Sequence, residues 1–210
     1  MKKYILLSLL TLMVTTANAS VISTLGSSGY DFRCLGVSSS CGQTFGQTFT
    51  VTGTDTHLDD FGFVLSSVRN GPLNVQFNLF SWGGSNVSGT ALYQSSVLSI
   101  NNSVDQLHTF ITNIDLVNGN QYIALIDTSG IGNTTSPTSG FTSINDNAYL
   151  GGTFLWERNS GDGNWNTNGG DSLFIANFRA PTNSVPEPAS IALLGLGLAG
   201  LGFYRKKKKA

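Results

Sequence analysis

Between Ser20 and Val185 the chain contains no lysine. All six lysines sit at the two ends, as Lys2, Lys3 and the run Lys206 to Lys209. The interior has four basic residues, Arg33, Arg69, Arg158 and Arg179, against ten aspartates and Glu157. Its formal net charge is therefore −7, although the whole chain is nearly neutral at −1. A domain so poor in cations cannot neutralise phosphates, which excludes a nucleic-acid partner. Histidine is scarce too, with His57 and His108 alone, and serine never falls in a Gly-x-Ser-x-Gly elbow; Gly26-Ser27-Ser28-Gly29 misses that spacing. No stretch of the interior sustains a helical period, and no longer repeat points to a solenoid or propeller.

The ends carry what the interior lacks. Lys2 and Lys3 precede an apolar stretch from Tyr4 to Val14, and Ala17-Asn18-Ala19 stands before Ser20. A positive start, a short apolar run and small residues at Ala17 and Ala19 form a signal peptide cleaved before Ser20, read by the secretion translocon and signal peptidase. At the other end Pro186-Glu187-Pro188 resists helix, because each proline fixes its own φ and restricts the residue before it. Residues 189–204 hold no charge and are read as a transmembrane helix. At about 24 Å it is short for a hydrocarbon core of about 30 Å, a gap that snorkelling basic side chains close. Arg205 and the lysines form a cytoplasmic tail, which leaves the domain on the far side of the membrane. The layout is thus a signal peptide (1–19), an ectodomain (20–180), a linker (181–188), a membrane helix (189–204) and a basic tail (205–210). Removing the ends leaves about 165 residues, enough for one hydrophobic core.

Val185-Pro186-Glu187-Pro188-Ala189, the Leu/Gly/Ala run and the closing Tyr204-Arg205 with four lysines resemble the PEP-CTERM sorting signal of Gram-negative bacteria. The resemblance implies recognition by an exosortase near Pro186, Glu187 and Pro188, passage through the inner membrane with the ectodomain in the periplasm, and delivery to the cell surface or an exopolysaccharide matrix. Gly42-Gln43-Thr44-Phe45 to Val51, Gly119 to Leu125 and Asp171-Ser172-Leu173-Phe174 also resemble strands of the β-sandwich ectodomains that precede such tails. With these two end signals around a domain that shows no catalytic constellation, the chain is expected to be an exported, non-enzymatic surface or matrix protein. A carbohydrate-binding module and a glycan-active enzyme stand as alternatives.

The interior itself reads as β-structure. Phe45, Phe49 and Val51 share one face of residues 43–52, with Gln47 as a polar exception on that face. Leu73, Val75, Phe77 and Leu79 alternate with Asn74, Gln76 and Asn78, and Phe110, Ile114 and Leu116 alternate in the same way. Residues 121–127 and 173–178 are continuously apolar, as strands buried on both faces are. Turn signals separate these runs at Asn70-Gly71-Pro72, Gly83-Gly84-Ser85, Asn118-Gly119-Asn120 and Gly151-Gly152. Asn118-Gly119-Asn120 predicts a hairpin, and residues 129–143 predict the longest loop. Eight or nine short strands predict an all-β fold, an antiparallel β-sandwich of jelly-roll type.

Four features bear on chemistry. Cys34 and Cys41, exported to an oxidising compartment, predict a disulfide closing a short loop. His57 with Asp55, Asp59 and Asp60 reads as a metal or acid/base cluster, or, favoured because no second histidine is near, as an exposed polar strand edge. Asp162, Asn164, Asn166 and Asp171 echo a Ca2+ loop; Thr167 and Leu173 depart from the EF-hand pattern, and a plain Asn/Gly turn region is the competing reading. Of the tryptophans, Trp156 follows Phe154-Leu155 and is expected in the core, with Trp82 unassigned. Trp165 between Asn164 and Asn166 is expected at the surface, where its ring could stack on a sugar.

Overall fold

A computed structural model describes residues 19–181, apart from residues 28, 29, 39, 134, 135, 145, 146 and 168. The signal peptide up to residue 18, Pro186-Glu187-Pro188, the membrane helix and the basic tail lie outside the described residues. The sandwich falls within the first of two units, Met1–Ala180. Among the described residues no helix is long and apolar enough to cross a membrane.

Every regular element described is a strand: β1 Ser20–Ser23, β2 Tyr30–Gly36, β3 Thr44–Thr50, β4 His57–Arg69, β5 Leu73–Trp82, β6 Val87–Gln94, β7 Leu98–Ile100, β8 Gln106–Asp115, β9 Gln121–Asp127, β10 Thr138–Ile144, β11 Phe154–Glu157, β12 Asp171–Ser172 and β13 Phe174–Arg179. They form two antiparallel sheets. In the first, the long β4 pairs with β8, β13 and β10, while β1 joins β13 and β2 joins β10. The second runs β11-β3-β9-β5-β6, with β7 on the first residues of β5.

Phenylalanine fills the space between the sheets. Phe45, Phe49, Phe61, Phe63, Phe77, Phe110, Phe141, Phe154, Phe174 and Phe178 all belong to the main core cluster. Phe61 stacks on Phe174 at 5.4 Å and Phe77 on Phe110 at 4.9 Å. Each ring removes a large apolar area from water and adds a preferred edge or offset contact. This is the period-2 pattern of the sequence made physical, one face of each strand turned inward.

Three expectations change. Asn118-Gly119-Asn120 makes the expected turn, with Gly119 at φ 83°, but it is no hairpin: β8 lies in the first sheet and β9 in the second. The true hairpin is at Gly83-Gly84-Ser85, where Gly83 N–H donates to Asn86 O at 3.0 Å and β5 pairs with β6. The expected 129–143 loop contains most of β10, whose polar Thr-Ser-Gly composition hides a strand paired on both sides by β2 and β4. Finally, β13 alternates buried and half-buried residues and is not buried on both faces, because its outer side stays open. β9, flanked by β3 and β5, is buried almost throughout, as its apolar run predicts.

Candidate functional site

The outward side chains of the second sheet build a groove. Along β5, Leu73, Val75, Phe77 and Leu79 enter the core, which leaves Gln76, Asn78, Phe80 and Trp82 on the opposite face. Along β9, Tyr122, Ala124 and Ile126 point inward and Ile123, Leu125 and Asp127 outward. Ile123, Leu125 and Leu155 form a second, smaller apolar cluster, against which Phe80, Trp82, Val87 and Trp165 pack. Gly46 of β3 keeps this face low: a Cβ there would lie 2.4 Å from Leu125 Cδ2 and 2.7 Å from Ala124 O.

The groove has a volume of about 520 Å³. Its lining includes the aromatic rings of Phe80 and Trp165, the amides Gln76, Asn78, Asn86 and Gln94, and the carboxyl groups of Asp127, Glu157 and Asp162. Among the described residues, no arginine, lysine or histidine lines it. Trp165 is held in place: its Nε1–H donates to Asn86 Oδ1 at 3.1 Å, and its ring meets Trp82 edge to face at 5.8 Å and 85°. Gln94 Nε2 donates to Asn78 Oδ1 at 2.8 Å. These side chains are oriented before any ligand arrives.

The carboxyl groups order the rim. Asp127 Oδ1 accepts from Ser129 N and Ser129 Oγ, both at 2.9 Å, and its Oδ2 from Ser160 Oγ at 2.9 Å. Glu157, 2% exposed, accepts from Gly161 N at 2.9 Å and so fixes the turn that carries Asp162 and Gly163. Burial pushes the Glu157 carboxyl above its ordinary value, with smaller upward contributions from Asp162 and Asp127, and the Gly161 N–H opposes the shift.

Trp165 is half-buried at this groove and Trp156 half-buried against the core. Asn164 and Asn166 do not line the groove with it. Asn164 N donates to Asp162 Oδ1 at 2.9 Å, and Asn166 Nδ2 to Asn164 O at 3.0 Å. Asp162 and Asp171 enter different networks. Asp171 is fully buried, accepting from Gln47 Nε2 and from Tyr149 N, each at 2.8 Å. Among the described residues no group of three or more His, Cys, Asp or Glu side chains is placed to hold a metal. The Cys34–Cys41 disulfide is formed, with a Cα–Cα distance of 4.8 Å.

His57 is not at an exposed edge. It is 8% exposed, because β4 is flanked there by β8 and β13. Its Nδ1 faces Asp115 Oδ1 at 2.6 Å and its Nε2 faces Arg179 Nη2 at 2.8 Å. A guanidinium can only donate, so Nε2 accepts and Nδ1–H points at Asp115. Arg179 Nε also donates to Asp59 Oδ1 at 2.5 Å. Asp60 accepts from Asn177 at 2.7 Å, and Asp55 lines a separate small hollow with Ser20 and Phe178. With both ring nitrogens engaged, His57 ties three strands together at one end of the first sheet.

Residues 184–207 match the family model of the PEP-CTERM protein-sorting motif. The motif marks an exported chain that is sorted by an exosortase. No curated protein matches the chain. Among solved structures, the cysteine protease and lectin-like domains of Cwp84, a surface layer associated protein of Clostridium difficile, resemble it at 13% identity and a TM-score of 0.47. That match covers 65% of this chain and 32% of the Cwp84 chain.

Of the groove lining, the sequence by itself marks Trp165 and Asp162. Asn86, Asp127 and Glu157 lie far apart in the chain and meet only once β3, β9, β5 and β11 are in register. One local signal was available: Gln76 and Asn78 followed by Phe80 and Trp82 at alternate positions, an outward face of amides and aromatics where plain solvation would need neither.

Proposed function

We propose that this chain is a non-enzymatic surface or matrix protein whose sandwich binds a glycan in the groove beside Trp165. The observation that carries the reading is a groove lined by the pre-set ring of Trp165 together with the amides of Gln76, Asn78, Asn86 and Gln94. Sugars present apolar C–H faces and hydroxyl rims, and a fixed ring plus amide donors and acceptors complements both. The Asn86 bond and the Trp82 contact lower the ordering cost of binding. The sorting motif supports the setting: a precursor held in the inner membrane, its ectodomain in the periplasm, then processed near Pro186-Glu187-Pro188 and released to the surface or the exopolysaccharide matrix. The domain's lack of lysine suits a matrix rather than a nucleic-acid partner.

Calorimetric titration with the polysaccharide of the producing cells tests the reading. Binding that weakens about tenfold in Trp165→Ala, equivalent to about 1.4 kcal/mol, supports it. Absence of binding to that polysaccharide and to a glycan array rejects it.

A further inference from the structure

Gln47, Asp171 and Ser172 are each fully buried, at 0% exposure, and belong to opposite sheets: Gln47 to β3, the other two to β12. Ser172 contributes twice. Its backbone N–H donates to Gln47 Oε1 at 2.7 Å, and its hydroxyl donates to the same oxygen at 3.0 Å. Asp171 Oδ1 accepts from Gln47 Nε2 at 2.8 Å. The amide of Gln47 thus has a polarising N–H on its carbonyl oxygen, a hydroxyl beside that oxygen and a carboxyl group on its nitrogen. These are the three parts acyl transfer needs: an oxyanion donor, a nucleophile and an acid for the leaving group.

We propose that Ser172 and Gln47 form an intramolecular ester that covalently joins the two sheets, with Asp171 assisting departure of ammonia. Ser172 Oγ adds to Gln47 Cδ, and its proton passes to Oε1, the atom it already faces. The protonated Asp171 carboxyl then gives its proton to Nε2 as the Cδ–Nε2 bond breaks. The proton on Oε1 restores Asp171 as the carbonyl re-forms. One C–O bond forms, one C–N bond breaks and one ammonia leaves; no oxidant, water or cofactor is consumed. Burial raises the Asp171 carboxyl above its ordinary value, against the bonds from Tyr149 N and Gln47 that favour the charged form, and this is the direction that favours the protonated form used in the step. The same burial keeps water from the product ester. A lysine-to-amide cross-link is closed to this domain, which contains no lysine.

The experiment is intact-mass measurement of the full-length chain under denaturing conditions, followed by proteolysis and peptide mapping. The expected mass is below that of the sequence by one ammonia, beyond the two hydrogens of the disulfide, and a linked pair of peptides joins residues 47 and 172. Ser172→Ala, which removes only the hydroxyl, restores the missing mass. Asp171→Asn restores it too where that variant folds. A wild-type chain carrying its full sequence mass overturns the proposal. So does a deficit that persists in Ser172→Ala, since an asparaginyl succinimide at an Asn-Gly pair would then account for it.

Discussion

Gln47 Nε2 donates to Asp171 Oδ1 at 2.8 Å, and this bond crosses the sandwich from β3 to β12. It explains why an amide interrupts the Phe45 and Phe49 face: Gln47 is the partner of a carboxyl that the second sheet would otherwise leave unmet. Gln47→Leu removes the donor to Asp171 and the acceptor for Ser172 N while keeping the volume. A buried carboxyl left without its bond costs about 3 kcal/mol. In a Ser172→Ala background, where no ester can form and Gln47 keeps its amide, chemical denaturation should show a loss of that order for Gln47→Leu, whereas Thr50→Val at the strand's half-buried end should cost clearly less.

Much of this fold was legible because phenylalanine marks it. Leu73 to Leu79 alternate strictly, Phe45 and Phe49 share a face broken only by Gln47, and both became core faces. Pairing was not legible where turn chemistry was the guide. Asn118-Gly119 supplies the positive φ a tight turn needs, yet that conformation serves equally well for a step between sheets. β10 is hard to read in sequence because it opens on the polar residues Thr138, Ser139 and Gly140 before Phe141 enters the core, and the strand owes its state to neighbours on both sides. In sequence His57 reads as exposed, because it stands among Asp55, Asp59 and Asp60 with no second histidine near. Arg179 and Asp115, distant in the chain, are what make its burial tolerable.

Buried Glu157 and half-buried His108 give opposite pH slopes. Glu157 is raised in the folded state, so on acidification the native chain takes up its proton before the unfolded chain does. Stability from this group therefore rises as pH falls from the raised value toward the ordinary 4.5, and is lost on going back up. His108 is lowered by burial, and its Nε2 has no partner among the described residues. Here the unfolded chain protonates first, so stability falls as pH drops below 6.5. Thermal melts across this range should lose the acid-side gain in Glu157→Gln and the acid-side loss in His108→Phe. Parallel profiles for either variant and wild type would contradict the assignment.

The disulfide closes a short loop, with a sequence separation of 7 between Cys34 and Cys41. Its constraint on the unfolded chain is worth about 2 kcal/mol. Cys34→Ser with Cys41→Ser should lower stability by that amount without unfolding the sandwich. Reductant should bring wild type to the same value and leave the double variant unchanged.

Asn86 allows the ring of Trp165 to be separated from its positioning. Trp165→Ala deletes the stacking surface, whereas Asn86→Ala removes the acceptor of Nε1–H and leaves the ring in the groove, still edge-on to Trp82. If the groove binds sugar by stacking on an ordered ring, Asn86→Ala should weaken binding by only a few-fold, less than the about tenfold expected for Trp165→Ala, since freeing a side chain costs about 0.5–1.5 kcal/mol. Asn86→Asp keeps the acceptor and should retain most of the affinity for a neutral glycan. Titration of the three variants against one oligosaccharide decides the matter: a larger loss for Asn86→Ala than for Trp165→Ala would mean that Asn86 itself contacts the sugar and that the ring is part of the wall behind it.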